Sequence, residues 1–321
     1  MKAIIVKDYG APEVMRFEEA ADLQPDENQV LVWVKAAGVN PVDTYIRSGQ
    51  HAIKPKLPYT PGKDAAGIVE AVGENVRKVK AGDRIYTADS ISGTYAEFCL
   101  CLENQVNLLP ENVSFEQGAG VFVPYATSYR ALFQKAKAQN GETILIHGAS
   151  GGVGIAAAQW AKKNGLRVIG TASSEKGKDL VKEQGADFVF DHSDENYLGE
   201  IQETTGGKGI EIVLEMLANV NLQKDLEVLA KHGRIVVIGN RGSLEFNPRG
   251  AMGKDASILG MSLFNASPEE MHEIHTAIFE GLSEGFLNPI VGKTFPMAQA
   301  AQSHRAVIEE KAFGKIVLTN Q

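Results

Sequence analysis

The sequence predicts an α/β protein of two parts: a β-rich domain of irregular strands and turns, and a doubly wound parallel sheet with helices on both faces. Three observations predict it. From about residue 125 to about 265, short apolar runs alternate with helical stretches, as parallel strands and crossover helices do. A glycine-rich turn, Gly148-Ala149-Ser150-Gly151-Gly152-Val153-Gly154, stands directly between the first of those runs and the first helix. Before residue 124 the pattern changes to short β runs punctuated by glycine and proline. A length of 321 residues suits two domains of ordinary size.

The elements follow in order. In residues 1–124, Val30-Leu31-Val32-Trp33-Val34 and Gly67-Ile68-Val69-Glu70-Ala71-Val72-Gly73 read as strands, and Pro41, Pro55, Pro58, Pro61 and Pro110 are expected to keep the region from being helical. Ala96 to Leu102 reads as a strand that carries Cys99 and Cys101, the two cysteines of the chain, on one face. No second ligand pair stands near them for a metal, no disulfide is expected, and a cytoplasmic address follows. In residues 125–265 the strands are Thr143–His147, Leu166–Gly170, Phe188–Phe190, Ile210–Leu214, Arg234–Ile238 and Ser257–Leu263. The helices between them are Val153–Asn164, one ending at Gln184, Tyr197–Thr204 and Leu222–Ala230. Residues 266–321 hold a helix from Pro268 to about Ser283, another from Met297 to Glu310, and the strand Lys315–Leu318; this tail is expected to return to the first domain.

Composition excludes some functions. The formal net charge is −8 and no Lys/Arg block is present, which argues against nucleic acid or an anionic membrane as main partner. No apolar stretch approaches a membrane span, and Met1 to Val6 is too short an apolar run for a signal peptide.

The glycine turn carries the chemistry. At a strand-to-helix junction, absent side chains let the backbone approach a pyrophosphate, and the free N–H groups of the helix start meet its charge. The spacing departs from G-x-G-x-x-G, because Ala149 stands where its first glycine would be. The second strand selects the dinucleotide. An NAD-preferring chain carries Asp or Glu at that strand's end to hold the ribose 2′-hydroxyl. Here the end reads Gly170-Thr171-Ala172-Ser173-Ser174-Glu175-Lys176, small and neutral, with Lys176 and Lys178 following. A 2′-phosphate is accepted by such hydroxyls and ammonium groups, which favours NADPH over NADH, although Glu175 works against it. Ser173 or Ser174 also suits a helix N-cap.

The sequence resembles the medium-chain dehydrogenase/reductase superfamily, and within it the zinc-free quinone oxidoreductase branch close to zeta-crystallin. The resemblance covers nearly the whole chain and rests on Gly38 to Gly49, Leu57 to Gly67, His147 to Gly154, Glu215 to Asn221 and Gly239-Asn240-Arg241-Gly242. It implies a GroES-like β-rich catalytic domain plus a Rossmann nucleotide-binding domain, the first interrupted by the second. Zinc dehydrogenases of similar layout carry Cys and His as catalytic zinc ligands where Asn40 and Lys63 stand here, so no metal is expected. The resemblance implies that Tyr45 lies by the nicotinamide end and that Ser150, Gly151, Gly152 and Val153 wrap the pyrophosphate. It implies Ser173, Lys176 and His192 near the adenosine ribose and its phosphate, and Asn221, Ile238, Gly239, Asn240, Arg241, Met261, Ser262 and Leu263 along the cofactor groove. Asn40 and Tyr45, with residues near Pro124 and Tyr125, are expected to wall the reacting end.

The implied activity is zinc-independent hydride transfer from NADPH to a quinone. An enone or alkenal reductase uses the same parts. A cofactor-sensitive RNA-binding or crystallin-like protein is the reading from another class, and the acidic charge opposes it. A homodimer or homotetramer is implied, joined through the strand Ser257–Leu263. Simpler readings stand beside these: Asn40 capping a turn, Tyr45 packing, Asp43 pairing with Arg47 four residues on, Asp64 facing N–H groups of the Pro-Gly turn, His192 and Arg241 on the surface, and His272 and His275 on a solvated helix face.

Overall fold

The computed structural model describes residues 1–52, 54–311 and 313–320. First come strands β1 (Lys2–Val6), β2 (Met15–Glu19), β3 (Gln29–Val39), β4 (Asp64–Val72), β5 (Arg84–Thr87), β6 (Phe98–Leu102) and β7 (Val106–Leu108). Helix α1 (Pro41–Ser48) lies between β3 and β4, α2 (Phe115–Gly118) follows β7, and α3 (Thr127–Tyr129) is flanked by wider π-type turns. Strands and helices then alternate: β8 (Thr143–Ile146), α4 (Gly152–Lys163), β9 (Arg167–Thr171), α5 (Glu175–Glu183), β10 (Phe188–Phe190), α6 (Tyr197–Thr204), β11 (Ile210–Glu215), α7 (Ala218–Val228), β12 (Leu229–Val237), α8 (Arg249–Met252) and β13 (Ser257–Gly260). After these come α9 (Pro268–Glu284), β14 (Val291–Pro296), α10 (Ala300–Glu309) and β15 (Lys315–Thr319). The chain divides into two compact units, Met1–Val123 with Phe279–Gln321, and Pro124–Ile278.

The second unit is one six-stranded sheet in the order β10-β9-β8-β11-β12-β13, parallel at every pairing. The order reverses beside β8, so consecutive loops diverge there and leave a crevice at the carboxyl ends of the strands. All four residues of β8 are buried, and Leu145, Ile169, Val213 and Ile235 from four neighbouring strands share one core with Tyr197 and Ile201 of α6. Each such aliphatic side chain contributes about 1.5–3 kcal/mol by leaving water. The sixth strand ends at Gly260 rather than Leu263, because Leu263–Asn265 curl into a 3₁₀ turn. The helix expected over Leu222–Ala230 instead spans α7, and Leu229 and Ala230 already belong to β12.

The first unit holds the β1–β2 pair and a seven-stranded sheet. In that sheet β15 lies between β14, to which it is parallel, and β3, to which it is antiparallel. The expectation that proline keeps this region from being helical fails at α1. Pro41 occupies the first helical position, where its missing N–H is no loss and its fixed φ suits the helix. Asn40 precedes it in extended conformation, and Gly49 ends the helix at φ 77°. The sequence reading passed over β14. Its residues Gly292, Lys293 and Thr294 are exposed, and an edge strand of that kind shows no apolar alternation.

Candidate functional site

In the second unit, every residue expected to bind cofactor follows the carboxyl end of a parallel strand. Ser150–Val153 come after β8, Ser173 and Lys176 after β9, His192 after β10, Asn221 after β11, Ile238–Arg241 after β12 and Met261–Leu263 after β13. Gly148 has φ 59°, which bends the chain sharply out of β8. A side chain on Gly154 would place its Cβ 2.5 Å from Ala149 Cα, so only glycine lets α4 pack this closely on the turn. No side chain caps α4 at Gly151, and no acidic residue stands in its first turn. Its leading N–H groups therefore have the field and the free donors that bind an anion. This is the observation on which a dinucleotide fits.

The loop after β9 resolves the question of Glu175. Ser174, not Ser173, caps α5, accepting from Gly177 N at 3.2 Å. The Glu175 carboxylate is held by Lys178 Nζ at 2.5 Å. Its charge is thereby compensated in the same turn, and Lys176 lies exposed beside it. His192 and Arg241 are exposed, Ser173 and Asn221 half-buried.

In the first unit the residues expected at the reacting end are drawn into a buried charge cluster. Asn40 N donates to Asp43 Oδ2 at 2.8 Å. Its carboxamide donates from Nδ2 to Asp64 Oδ2 at 3.0 Å and accepts from Lys315 Nζ. Lys315 Nζ also lies 2.7 Å from Asp64 Oδ2, with exposures of 5 % and 1 %. Asp64 Oδ1 accepts from Val123 N at 3.2 Å. Asp64 thus faces an ammonium and one backbone N–H rather than the N–H groups of the Pro-Gly turn. Asp43 and Arg47 do not pair: Asp43 Oδ2 takes Asn40 N and the Tyr95 hydroxyl at 3.3 Å, while Arg47 Nη2 points to Thr44 O. Burial pushes the Asp43 carboxyl up to about 7. The Tyr95 hydroxyl also meets His304 Nε2 at 3.2 Å, and burial pushes His304 down to about 3.

Zinc does not fit here. Two amines, Lys315 beside Asn40 and Lys63 paired with Asp89 at 2.8 Å, stand where a cation would need thiolate or neutral imidazole. Cys99 and Cys101 are buried on β6, their Sγ atoms 4.0 Å apart.

A cleft of about 500 Å³ also belongs to this unit, lined by Asp43, Ile46, Tyr59, Lys63, Asp89 and Ile91 among others. Tyr45 and Asn40 are not among its walls. The Tyr59 hydroxyl is buried without a hydrogen-bond partner among the described residues, and burial raises its pKa. Sequence reading missed Tyr59, Asp89, Lys315 and His304. Only Tyr59 carried a signal, its place in the quoted Leu57–Gly67 stretch.

Comparison with known proteins accords with this geometry. The alcohol dehydrogenase GroES-like domain matches residues 26–163, and the zinc-binding dehydrogenase domain matches residues 152–280. The chain is 48 % identical to the quinone oxidoreductase of Sus scrofa and 47 % identical to that of Homo sapiens, each over 99 % of this chain and 97 % of the relative. The Escherichia coli quinone oxidoreductase complexed with NADPH superposes with a TM-score of 0.91 at 31 % identity, covering 99 % of this chain and 100 % of that one. A GroES-like unit joined to a parallel nucleotide-binding sheet defines the medium-chain dehydrogenase/reductase superfamily. Within it, the chain belongs to the quinone oxidoreductase family.

Proposed function

We propose that this chain oxidises NADPH and reduces a small electron-poor acceptor, a quinone, without a metal. The observation that carries the reading is the uncapped start of α4 behind a glycine turn, at the carboxyl edge of a parallel sheet. The relatives named quinone oxidoreductase supply the acceptor class. When bound, NADPH supplies the hydride.

The chain's residues bind and orient. Ser150, Gly151, Gly152 and Val153 wrap the pyrophosphate. Ser173, Lys176 and His192 face the 2′-phosphate, with Glu175 neutralised by Lys178. Asn221, Ile238–Arg241 and Met261–Leu263 line the groove. Tyr45, half-buried on α1, donates a hydrogen bond to the oxygen on which charge develops. Asn40, committed at both ends of its carboxamide, positions the start of α1 and is a positioning residue. The first unit serves as the catalytic domain and the second, which takes in residues 266–278 of the expected returning tail, as the NADPH domain.

We further propose a homodimer or homotetramer joined along β13. That strand forms one edge of the sheet, and its Ile258 is 38 % exposed. The buried free thiols suit a cytoplasmic, reducing setting, and no helix among the described residues is long and apolar enough to cross a membrane.

Steady-state oxidation of NADPH and NADH against a panel of quinones and unsaturated aldehydes tests the reading. NADPH with a quinone is expected to turn over fastest. Faster turnover of the aldehydes makes it an alkenal reductase, and no binding of either nucleotide overturns it. A Tyr45→Phe enzyme with unchanged kcat removes the role given to that hydroxyl.

A further inference from the structure

His147 precedes the glycine turn, Glu215 ends β11 and Asp225 lies on α7. Their exposures are 3 %, 0 % and 0 %. His147 Nε2 is 2.7 Å from Asp225 Oδ1 and 3.6 Å from Glu215 Oε2. The ring nitrogen and one oxygen of each carboxyl all lie within 4.8 Å of one another.

Glu215 reaches the loops to which NADPH binding is assigned. Its Oε1 accepts from Leu217 N and from Asn221 Nδ2, the latter at 3.3 Å. Its main-chain oxygen accepts from Ile238 N at 2.9 Å and Gly239 N at 3.2 Å. His147 ties the same residue to the start of the glycine turn. Yet Glu215 Oε2 and Asp225 Oδ2 meet no donor among the described residues. A buried acceptor left so has lost its water without gaining a partner.

One added proton supplies the missing donor, since a protonated carboxyl donates to its neighbour, and two buried carboxylates this close do not both stay ionised. A metal ion is the poorer fit. Two ligands of one tetrahedral ion stand about 3.3 Å apart, whereas the imidazole and Asp225 are already in direct hydrogen-bond contact.

We infer that His147, Glu215 and Asp225 form a proton-holding hub that sets three of the cofactor loops, those after β8, β11 and β12, so that proton uptake by the hub and NADPH binding favour one another. The inference rests on the NADPH reading above. NADPH is anionic, and each negative charge removed from the hub eases its approach; by reciprocity the bound anion strengthens the hub's hold on its proton. Burial pushes the Glu215 and Asp225 carboxyls up to about 7 and His147 down, which brings the exchange near neutral pH. The other groups acting on the hub are Lys224 of α7, which opposes protonation of Asp225 and His147, and Tyr197 of α6, whose hydroxyl burial and the two carboxylates raise to about 12. The hub residues are positioning residues.

The test is the dissociation constant of NADPH from pH 6 to 8, with calorimetric proton uptake at pH 7 in two buffers of different ionisation enthalpy. The wild type, Asp225→Asn and Glu215→Gln are compared, so that titration of the ligand's own phosphate cancels. The wild type is expected to bind NADPH about fivefold more weakly at pH 8 than at pH 6 relative to either variant, and to take up a fraction of a proton that the variants do not. Folded variants with the wild-type pH slope and proton uptake overturn the hub alone. If the variants do not fold, proton uptake by the wild type on binding NADPH is measured at pH 7 alone; no uptake, after the ligand's own is subtracted, overturns it. A slope abolished by chelator, with stoichiometric metal in the untreated protein, overturns it in favour of a cation. No NADPH binding at any pH overturns the cofactor reading itself.

Discussion

Lys315 carries an ammonium to the Asn40 carboxamide and the Asp64 carboxylate, and the neighbours are built around that charge. With Asp64 at 2.7 Å and both side chains almost without solvent, neither ion has water to fall back on. Lys315→Met strands the Asp64 carboxylate and is expected to cost about 3–5 kcal/mol in urea unfolding, while adding Asp64→Leu restores much of the loss. His304 sets a pH dependence nearby. Its folded-state pKa of about 3 lies below the ordinary value of 6.5. The unfolded chain therefore takes the proton first, and stability is complete above pH 6.5 and drains as pH falls towards 3. Asp43 works in the opposite sense: raised to about 7 from 3.8, it contributes stability below pH 3.8 that is lost as pH rises through 7. His304→Gln is expected to lower the acid-unfolding midpoint by about half a pH unit, followed by circular dichroism. None of this was legible beforehand. Lys315 lies 251 positions from Asp64, and no local pattern ties a lysine at one strand's start to an aspartate at another's.

Individual elements announced themselves when their signal was local. The run from Thr143 through the glycine turn to Asn164 displays strand, bend and helix within its own residues, and the structure follows it to within a residue at most ends. Gly154 is the position where the element's chemistry is most exacting. Gly154→Ala forces α4 off the turn, with an expected loss of about 1–3 kcal/mol and a raised KM for NADPH at little changed kcat, read from melting curves and steady-state kinetics. Pro41 was legible too but was read the wrong way. The same ring that breaks a helix interior starts one at its first position, and only the extended Asn40 before it and Gly49 after it tell the two apart. β14 gave no signal, since a strand with one buried neighbour and three exposed residues looks like loop.

At the scale of the whole molecule, the six-fold alternation made the parallel sheet readable, and the same sheet order explains why the residues proposed to bind cofactor, scattered from 150 to 263, follow the carboxyl ends of its strands. The exposed rim of that sheet supports a prediction on assembly. Ile258→Lys puts a charge on the open side of β13 and is expected to lower the sedimentation coefficient to that of a single chain without changing the melting temperature by more than about 2 °C. The position of β15 bears on synthesis. Because residues 315–319 lie between β3 and β14, the Ala36–Val39 edge of β3 stays open until β15 has left the ribosome, although β3 to β7 already pair among themselves. At about 5–20 residues per second, the segment ending at Val123 waits roughly 10–40 s for its partner, while the intervening α/β unit is free to collapse first. Nascent chains stalled before Lys315 should thus resist protease in the middle unit while the unpaired edge of β3 leaves the front more readily digested than in the released chain.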